Sequence, residues 1–307
     1  LKGLILAAGK GSRLYPVTYN IPKPLLPIAN RTTLEYAIER LKEIGIEDIC
    51  IVVGEMEDSI RQKMMDGSAY GVRLSYVRQT KPHGIAHAVG FAKEFVGNDS
   101  FVLYLGDGIY GDSFAPYMKR FSESGCANLN IVKPVDDPSR YGVANVDGER
   151  IIRLVEKPKI PESNLAMTGV YFFGSQIWDI LPDLPPSARG EYEITDAIQM
   201  LIDRGHTVLA GVYESAWFDT GTLDSFLETS QFLIDNGKLI APSAKVSGKV
   251  GPGVVIGDGA KVRCNSITDS VVLPGASIDV DGDIQHCLLG GKIHDEFALE
   301  NVILYEV

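Results

Sequence analysis

Near residue 238 the hydrophobic period of this chain changes, and no single architecture accommodates both sides of the change. Up to about residue 235, short apolar runs alternate with stretches of helical periodicity. Beyond about 238 the helical periodicity disappears. Apolar positions then recur at six-residue spacing, as Val250, Ile256 and Val262 and again as Val272, Ile278 and Ile284. Small residues and glycines fill the gaps, as in Val255-Ile256-Gly257-Asp258-Gly259-Ala260. A hexad repeat of this kind predicts a short left-handed β-helix in which each hexad forms one side of a triangular coil. The two runs are out of phase with each other, so an irregular glycine-rich β-tail is the competing reading. A short solenoid leaves an open end, which makes a homo-oligomer contact an expected use of it. The chain therefore divides into domains 1–237 and 238–307.

In the first domain the strand candidates are Gly3–Ala8, Ile49–Val53, Leu74–Val77, Phe101–Leu105, Leu129–Val132, Val170–Phe173 and Val208–Val212. They are rich in Val, Ile and Leu and hardly alternate, as strands covered on both faces do. Helix candidates are Thr33–Ile44, Glu57–Met65, Ile85–Phe95, Phe114–Ser122, Glu193–Arg204 and Leu223–Ile234. In the first of these, Leu34, Ala37, Ile38, Leu41 and Ile44 share one face, and Glu39, Arg40, Lys42 and Glu43 the other. Strands alternating with helices imply βαβ crossovers. The expected fold class is α/β, a Rossmann-like and mostly parallel sheet followed by the short left-handed β-helix.

Composition limits function more than fold. With 45% hydrophobic and 22% charged residues the chain can bury a core, which excludes intrinsic disorder. Its 29 Lys+Arg against 40 Asp+Glu leave a net charge of −11. No nucleic-acid partner is expected, because phosphate backbones demand a net basic surface. No membrane partner is expected either, because no apolar run reaches the roughly 18 residues of a span. The start, Leu1-Lys2-Gly3-Leu4-Ile5-Leu6-Ala7-Ala8-Gly9, leads straight into a glycine loop and reads as a first strand rather than a signal peptide. A first residue other than Met suggests trimming or a numbering offset. Cys50, Cys126, Cys264 and Cys287 stand far apart and form no CxxC pair. Neither a disulfide framework nor a zinc site is expected, and the cytoplasm is the expected compartment.

The segment richest in chemistry is Leu6-Ala7-Ala8-Gly9-Lys10-Gly11-Ser12-Arg13-Leu14-Tyr15-Pro16, followed by Pro22-Lys23-Pro24-Leu25-Leu26-Pro27-Ile28. A strand runs into a turn in which Gly9 and Gly11 let backbone N–H groups close on a phosphate without a Cβ in the way. Arg13 and Lys23 can supply positive charge to a polyphosphate. The spacing is not a dinucleotide fingerprint, since Leu14 stands where the third glycine belongs. It is not a P-loop either, since no Gly-Lys-Ser/Thr ends it. Further along, Tyr104-Leu105-Gly106-Asp107-Gly108 ends an apolar strand with an acid, at the carboxyl edge where open α/β sheets bind ligands. A second acid, Asp219, lies in Ala216-Trp217-Phe218-Asp219-Thr220-Gly221-Thr222. Taken alone, each acid reads as a turn or cap residue, and Asp219 could cap a helix starting at Leu223. Taken alone, Gln79 is a solvated loop residue and Glu156-Lys157 an exposed charge pair of little energetic value. The histidines at 83, 87, 206, 286 and 294 show no metal spacing and read as structural, although His294 leaves an acyltransferase activity of the coils open.

Together these blocks resemble the sugar-1-phosphate nucleotidyltransferases (nucleoside-diphosphate-sugar pyrophosphorylases). Among them the chain is similar to long-type glucose-1-phosphate thymidylyltransferases that end in a left-handed β-helix. The resemblance spans the whole chain and rests on Gly9-x-Gly11-Ser12-Arg13-Leu14 followed by Pro22-Lys23-Pro24-Leu25, with further blocks in the family order. It implies a nucleotidyltransferase domain over 1–237, with Ala8, Gly9 and Gly11 against the nucleotide. In Gln79-Thr80-Lys81-Pro82-His83-Gly84-Ile85-Ala86-His87-Ala88 it implies that Gln79 hydrogen-bonds a pyrimidine edge and that Gly84 lets the base lie close to the backbone. It implies that Asp107 and Asp219 hold Mg²⁺, an ion that typically takes one or two carboxylates plus substrate phosphates. In Arg140-Tyr141-Gly142-Val143 and Leu154-Val155-Glu156-Lys157-Pro158, the resemblance assigns Tyr141, Gly142 and Glu156 to sugar hydroxyls and Lys157 to the sugar phosphate. It puts Val170, in Thr168-Gly169-Val170-Tyr171, under the sugar. Arg189, in Arg189-Gly190-Glu191-Tyr192-Glu193-Ile194-Thr195-Asp196, would reach the sugar phosphate, while Thr195 and Asp196 support structure.

The implied reaction joins a sugar 1-phosphate to an NTP and releases pyrophosphate. The sugar phosphate oxygen attacks the α-phosphorus in line with the departing pyrophosphate. That oxygen is already anionic near neutral pH, so no general base is required, and catalysis reduces to positioning and charge neutralisation. The expected catalytic cations are Arg13 beside the pyrophosphate, Lys23 near the α-phosphate and Lys157 on the sugar phosphate. The chain departs from many thymidylyltransferases in having Ala8-Gly9 for Gly-Gly, Pro24 for Gln and Asp107-Gly108 for Asp-Asn. Ala8 and Pro24 recur in relatives that use UTP or GTP. The expected pair is dTTP and glucose 1-phosphate, with UTP or GTP as the alternative base. A non-catalytic regulatory subunit that binds nucleotide sugars is a further alternative. Such subunits tend to lose the loop arginine or a metal acid, whereas this chain keeps Arg13, Lys23, Asp107, Lys157 and Asp219.

Overall fold

The computed structural model of the protein describes residues 1–306. Its main sheet has nine strands in the order Arg73–Arg78, Asp48–Val53, Lys2–Ala7, Phe101–Leu105, Leu165–Phe173, Asn128–Pro134, Val208–Val212, Arg150–Glu156 and Gly142–Asp147. The first four run parallel, in a register that aligns Leu74, Ile49, Gly3 and Val102. Strand Lys2–Ala7 lies between Asp48–Val53 and Phe101–Leu105, so the winding reverses there. Such a switch point opens a crevice at the carboxyl ends of the strands. The far half of the sheet is mixed: Leu165–Phe173 runs antiparallel to both neighbours, and Asn128–Pro134 runs parallel to Val208–Val212. The hairpin Gly142–Asp147/Arg150–Glu156 ends it, turning through Gly148 at φ 57°. Sequence periodicity missed this hairpin because its two strands share no period: Gly142, Val143 and Ala144 are buried in succession on one, whereas burial on the other is interrupted. Ile151 and Leu154 are buried, while Arg150, Ile152 and Arg153 are exposed.

The helix expected over Ile85–Phe95 is two pieces, Ile85–Gly90 and Lys93–Val96. Gly90 costs helix stability at the break. The remaining helices begin and end within two residues of expectation, as Thr33–Glu43, Glu57–Met64, Ala115–Ser124, Ile194–Asp203 and Leu223–Leu233.

The chain forms two compact units, Leu1–Gly9 with Ala37–Trp217, and Lys10–Tyr36 with the chain from Phe218 onward. The change of texture at 238 marks the first coil strand, Lys238–Ile240. The unit that holds the coils nevertheless reaches back to Phe218 and takes in the loop Lys10–Tyr36, so its bounds differ from domains 1–237 and 238–307. The cause is one apolar cluster. Leu14, Val17, Leu26 and Ile28 of the loop are buried with Phe226 and Leu227 of the helix Leu223–Leu233 and with Val255, Val271, Leu273 and Leu288 of the coils.

Within this unit the coils stack as parallel strands, which makes a β-helix. Val246 pairs with Val262 and Val262 with Ile278, sixteen residues apart at each step. Val250, Ile267 and Ile284 pair seventeen apart. The expected six-residue side is therefore not uniform. Val262, Ile267 and Val272 stand five apart on consecutive sides, all three in the buried core, and this shortening puts the two hexad runs out of phase. Each fully buried Ile or Leu there contributes about 1.5–3 kcal/mol. One corner turns through Asp269, His286 and Asn301 in successive coils, at φ 44°, 54° and 52°. Short polar side chains of these kinds tolerate that left-handed conformation.

Candidate active site

In the sheet unit, three strand ends carry predicted residues. Ala8 and Gly9 follow Lys2–Ala7, Asp107 follows Phe101–Leu105 two residues on, and Gln79 follows Arg73–Arg78. Two glycines bring these ends close. A Cβ on Gly106 would lie 2.7 Å from the Leu6 carbonyl oxygen, and one on Gly54 would lie 2.9 Å from that of Ala8. The Gly106 N–H donates to Leu6 (3.0 Å), which fixes where the chain leaves for Asp107. Tyr104 Oη donates to the Gly108 carbonyl (2.8 Å) and holds the other side of that turn.

The loop after Gln79 is tied down as tightly. Gly84 has φ 104°, and a Cβ there would meet the Tyr192 carbonyl oxygen at 2.5 Å. Tyr192 N–H donates to the His83 carbonyl (2.8 Å) and Ala86 N–H to that of Tyr192 (3.0 Å). Gln79 is buried, not solvated, and its Nε2 lies 3.3 Å from the Gly84 carbonyl oxygen and 3.0 Å from His87 Nδ1. A cavity of about 500 Å³ beside this loop is lined by His83, His87, Phe91, Leu184 and Tyr192 among others.

The residues assigned to sugar and sugar phosphate come together. Gly142 pairs with Glu156 across the hairpin, and Lys157 N–H donates to the Tyr141 carbonyl (3.0 Å). A Cβ on Gly142 would lie 2.5 Å from Thr195 Cγ2 and 3.2 Å from Glu156 Oε2, so only glycine leaves the carboxylate its place. Thr195 Oγ1 donates to Glu156 Oε2 (3.0 Å). Lys157 Nζ stands 3.7 Å and Arg189 Nη1 3.4 Å from Glu156 Oε1. Arg189 also faces Glu191 (3.2 Å) and Glu193 (3.7 Å). Burial raises the Glu193 pKa above the usual carboxylate value, against the hydrogen bond from Ser187. Lys157 adopts φ 43°, a strained turn that sets its direction. Tyr141 packs on Trp217 with ring centroids 5.3 Å apart. Val170 differs from its neighbours: it is wholly buried, in the strand Leu165–Phe173 where it pairs with Tyr104. Thr195 had read as structural, yet its hydroxyl orients Glu156. Its place at the start of the helix Ile194–Asp203, in the block that carries Arg189, was the only hint.

The coil unit holds the other set. Gly11 takes φ 63° at the start of the short turn Ser12–Leu14, and a Cβ there would press on Lys23 Cβ at 2.9 Å. Thr18 Oγ1 donates to the Gly11 carbonyl (2.9 Å). Lys23 is nearly buried, and its Nζ lies 3.9 Å from Asp219 Oδ1. A Cβ on Gly221 would come within 2.5 Å of Arg13 Nη2 and 2.9 Å of Asp219 Oδ1, so this glycine makes room for both side chains. Gly11, Arg13, Lys23 and Asp219 thus form one cluster. Asp219 does not cap the following helix. Thr222 does, in a capping box with Ser225.

Among the described residues, no group of three or more His, Cys, Asp or Glu side chains forms a ready-made metal cage. Asp107 and Asp219 are hard oxygen donors, few in number. Carboxylates of this kind suit Mg²⁺, which completes its shell with substrate phosphates, rather than zinc, whose sites usually carry His or Cys. The four cysteines are buried and unpaired. No helix among the described residues is long and apolar enough to cross a membrane.

A glycine turn with two nearby cations, a switch-point sheet and a carboxylate flanked by Lys157 and Arg189 stand beside a family match: the family profile of nucleotidyl transferases covers residues 2–236. The chain belongs to this family. Its reaction class is nucleotidyl transfer to a sugar 1-phosphate, and enzymes of this kind generally use a divalent metal. The low-salt glycan biosynthesis nucleotidyltransferase Agl11 of Haloferax volcanii is 41% identical over 330 aligned residues, covering 94% of this chain and 92% of the relative. A glucose-1-phosphate thymidylyltransferase of Streptomyces griseus is 34% identical, covering 98% of this chain and 95% of the relative. Among solved structures, a UDP-glucose pyrophosphorylase complexed with UDP-glucose superposes with a TM-score of 0.70 at 27% identity, over 76% of this chain and 98% of that one.

Proposed function

We propose that the protein transfers a thymidylyl group from dTTP to glucose 1-phosphate and releases pyrophosphate. One observation carries this reading. Glu156 accepts from Thr195 and stands within 4 Å of both Lys157 and Arg189, which suits a phosphorylated hexose whose hydroxyls need an acceptor and whose phosphate needs cations. Tyr141, Gly142 and Glu156 hold the sugar, Val170 lies beneath it, and Lys157 and Arg189 orient the attacking phosphate. Ala8, Gly9 and Gly11 present backbone to the nucleotide, Gln79 and Gly84 receive the base, Arg13 neutralises the leaving pyrophosphate and Lys23 the α-phosphate. Asp107 and Asp219 hold Mg²⁺, which when bound supplies positive charge to phosphate oxygens. The nucleotidyltransferase domain is 1–237 and the β-helix domain 238–307. Phe297, 75% exposed in the coils, supports a homo-oligomer contact there. The unpaired cysteines support a reducing compartment, the cytoplasm.

Ala8 and Pro24 favour a second reading in which UTP or GTP replaces dTTP. Pyrophosphate release, measured with dTTP, UTP and GTP against a panel of hexose 1-phosphates, decides between them. The expected result is fastest turnover with dTTP and glucose 1-phosphate. Preference for UTP or GTP overturns the base, preference for another hexose overturns the sugar, and no release from any pair overturns the catalytic reading.

A further inference from the structure

The amide of Gln79 is not free to turn over. A backbone carbonyl only accepts, so the edge of the amide that faces Gly84 must be its NH₂ group. The same nitrogen lies 3.0 Å from His87 Nδ1. Its second N–H therefore donates to that ring nitrogen, and the imidazole proton sits on Nε2. Burial, and secondarily the neighbouring His83, lowers the pKa of His87 and keeps the ring neutral. The ring itself is clamped. It stacks on Tyr192 at 6.0 Å and meets Phe91 edge-on at 5.0 Å and His83 at 5.3 Å.

With both N–H groups engaged inside the loop, Gln79 Oε1 is left without a hydrogen bond among the described residues. The side chain thus offers a ligand an acceptor and no donor. Thymine and uracil present a ring N3–H to such a group. Cytosine presents a lone pair at N3, and adenine one at N1, and neither ring nitrogen can donate to it.

We infer that His87 is a positioning residue for base selection: by accepting from the Gln79 amide it fixes Oε1 toward the base and favours thymine or uracil over cytosine. This rests on the reading of Gln79 as the base contact. Nothing in the spacing of His87 suggests the role, which arises only when the loop folds back over Gln79.

The test compares wild type, His87→Ala, His87→Gln and Gln79→Ala, with kcat and KM measured for dTTP, UTP and CTP at saturating glucose 1-phosphate. Loss of one hydrogen bond predicts that His87→Ala raises KM for dTTP and UTP about tenfold and narrows their preference over CTP by a similar factor. Its kcat and its KM for glucose 1-phosphate stay within about twofold of wild type. His87→Gln brings an amide oxygen that can accept the same N–H, and it restores most of the preference. This second variant keeps the test decisive if the alanine variant does not fold. Unchanged preference in His87→Ala, while Gln79→Ala loses it, overturns the role of His87 alone. Unchanged preference in Gln79→Ala overturns the base-site reading and this inference with it. A His87→Gln variant no better than His87→Ala also overturns it.

Discussion

The sheet unit and the coil unit hold their polar groups by different means. In the sheet unit the chemistry hangs on strand ends, and its geometry comes from backbone forced close to backbone at Gly54, Gly84 and Gly106. In the coil unit the scaffold is a regular stack, and the irregular part is the loop Lys10–Tyr36 moored to it. Leu14, Val17, Leu26 and Ile28 anchor that loop through side chains packed with Val255, Val271, Leu273 and Leu288. Strand ends can be positioned locally. A long loop that must hold two cations against Asp219 needs an apolar seat, and one face of the coils provides it. The β-helix is thus part of the support of the loop Lys10–Tyr36.

The largest effect expected from this comparison concerns the two acids, one in each unit. Asp107→Ala and Asp219→Ala should each lower kcat by about a thousandfold at ordinary Mg²⁺, with little change in melting temperature. Steady-state kinetics alongside thermal melts checks both. If one variant keeps near-normal turnover, the metal is held by the other unit alone and the assignment of the spared acid is wrong.

A smaller effect separates the two faces of the coils. Leu288 and Ile267 are both fully buried, Leu288 in the cluster that seats the loop and Ile267 in the interior of the coils. Each truncation to Ala should cost about 2–5 kcal/mol of stability. Leu288→Ala should in addition raise KM for the nucleotide severalfold, because the loop that carries Gly11, Arg13 and Lys23 loosens, whereas Ile267→Ala should leave KM unchanged. Equal kinetics in the two folded variants would show that the loop holds itself, and the contrast between the units would lose its basis.

What could be read from the amino-acid order follows the same division. The covered strands were legible because Val, Ile and Leu run without alternation, and the glycine loop because glycines and cations sit at fixed local spacing. The hairpin Gly142–Asp147/Arg150–Glu156 was not, since its two strands bury residues with no shared period. The coil period was legible in kind but not in length. A side of five residues and a side of six bury the same inward position, and only the stacked register distinguishes them. Candidate site residues could be named where a proposed role belongs to a single residue type, as with Arg13 or Asp107. It was not legible where a role depends on a partner far along the chain. Thr195 acts on Glu156 thirty-nine residues away, and that pairing is set by the packing of a helix on the hairpin. Asp219 was a candidate cap until the fold gave that task to Thr222.

The smallest effect sets one histidine of each unit against the other. In the sheet unit burial and His83 lower the His87 pKa. In the coil unit partial burial also pulls His286 down, but hydrogen bonds and charge from Asp269 and Asp224 more than offset it, so its pKa is raised. His286 Nδ1 lies 2.5 Å from Asp269 and Nε2 lies 2.8 Å from Asp224, in the first turn of the helix Leu223–Leu233. Both ring nitrogens donate only in the protonated ring. A folded pKa above the unfolded value near 6.5 means that this contact stabilises fully below about pH 6.5 and is lost as pH rises through the folded value. Asp224 is 84% exposed, so solvent screening limits the contribution to about 0.5–1 kcal/mol. His286→Asn tests this without new backbone strain, since Asn tolerates the φ of 54° found there. Denaturant unfolding of wild type and variant should show the wild type more stable at about pH 6, with the gap closing by about pH 9. A gap that stays constant or widens with pH would mean that the ring is held by packing rather than by its charge.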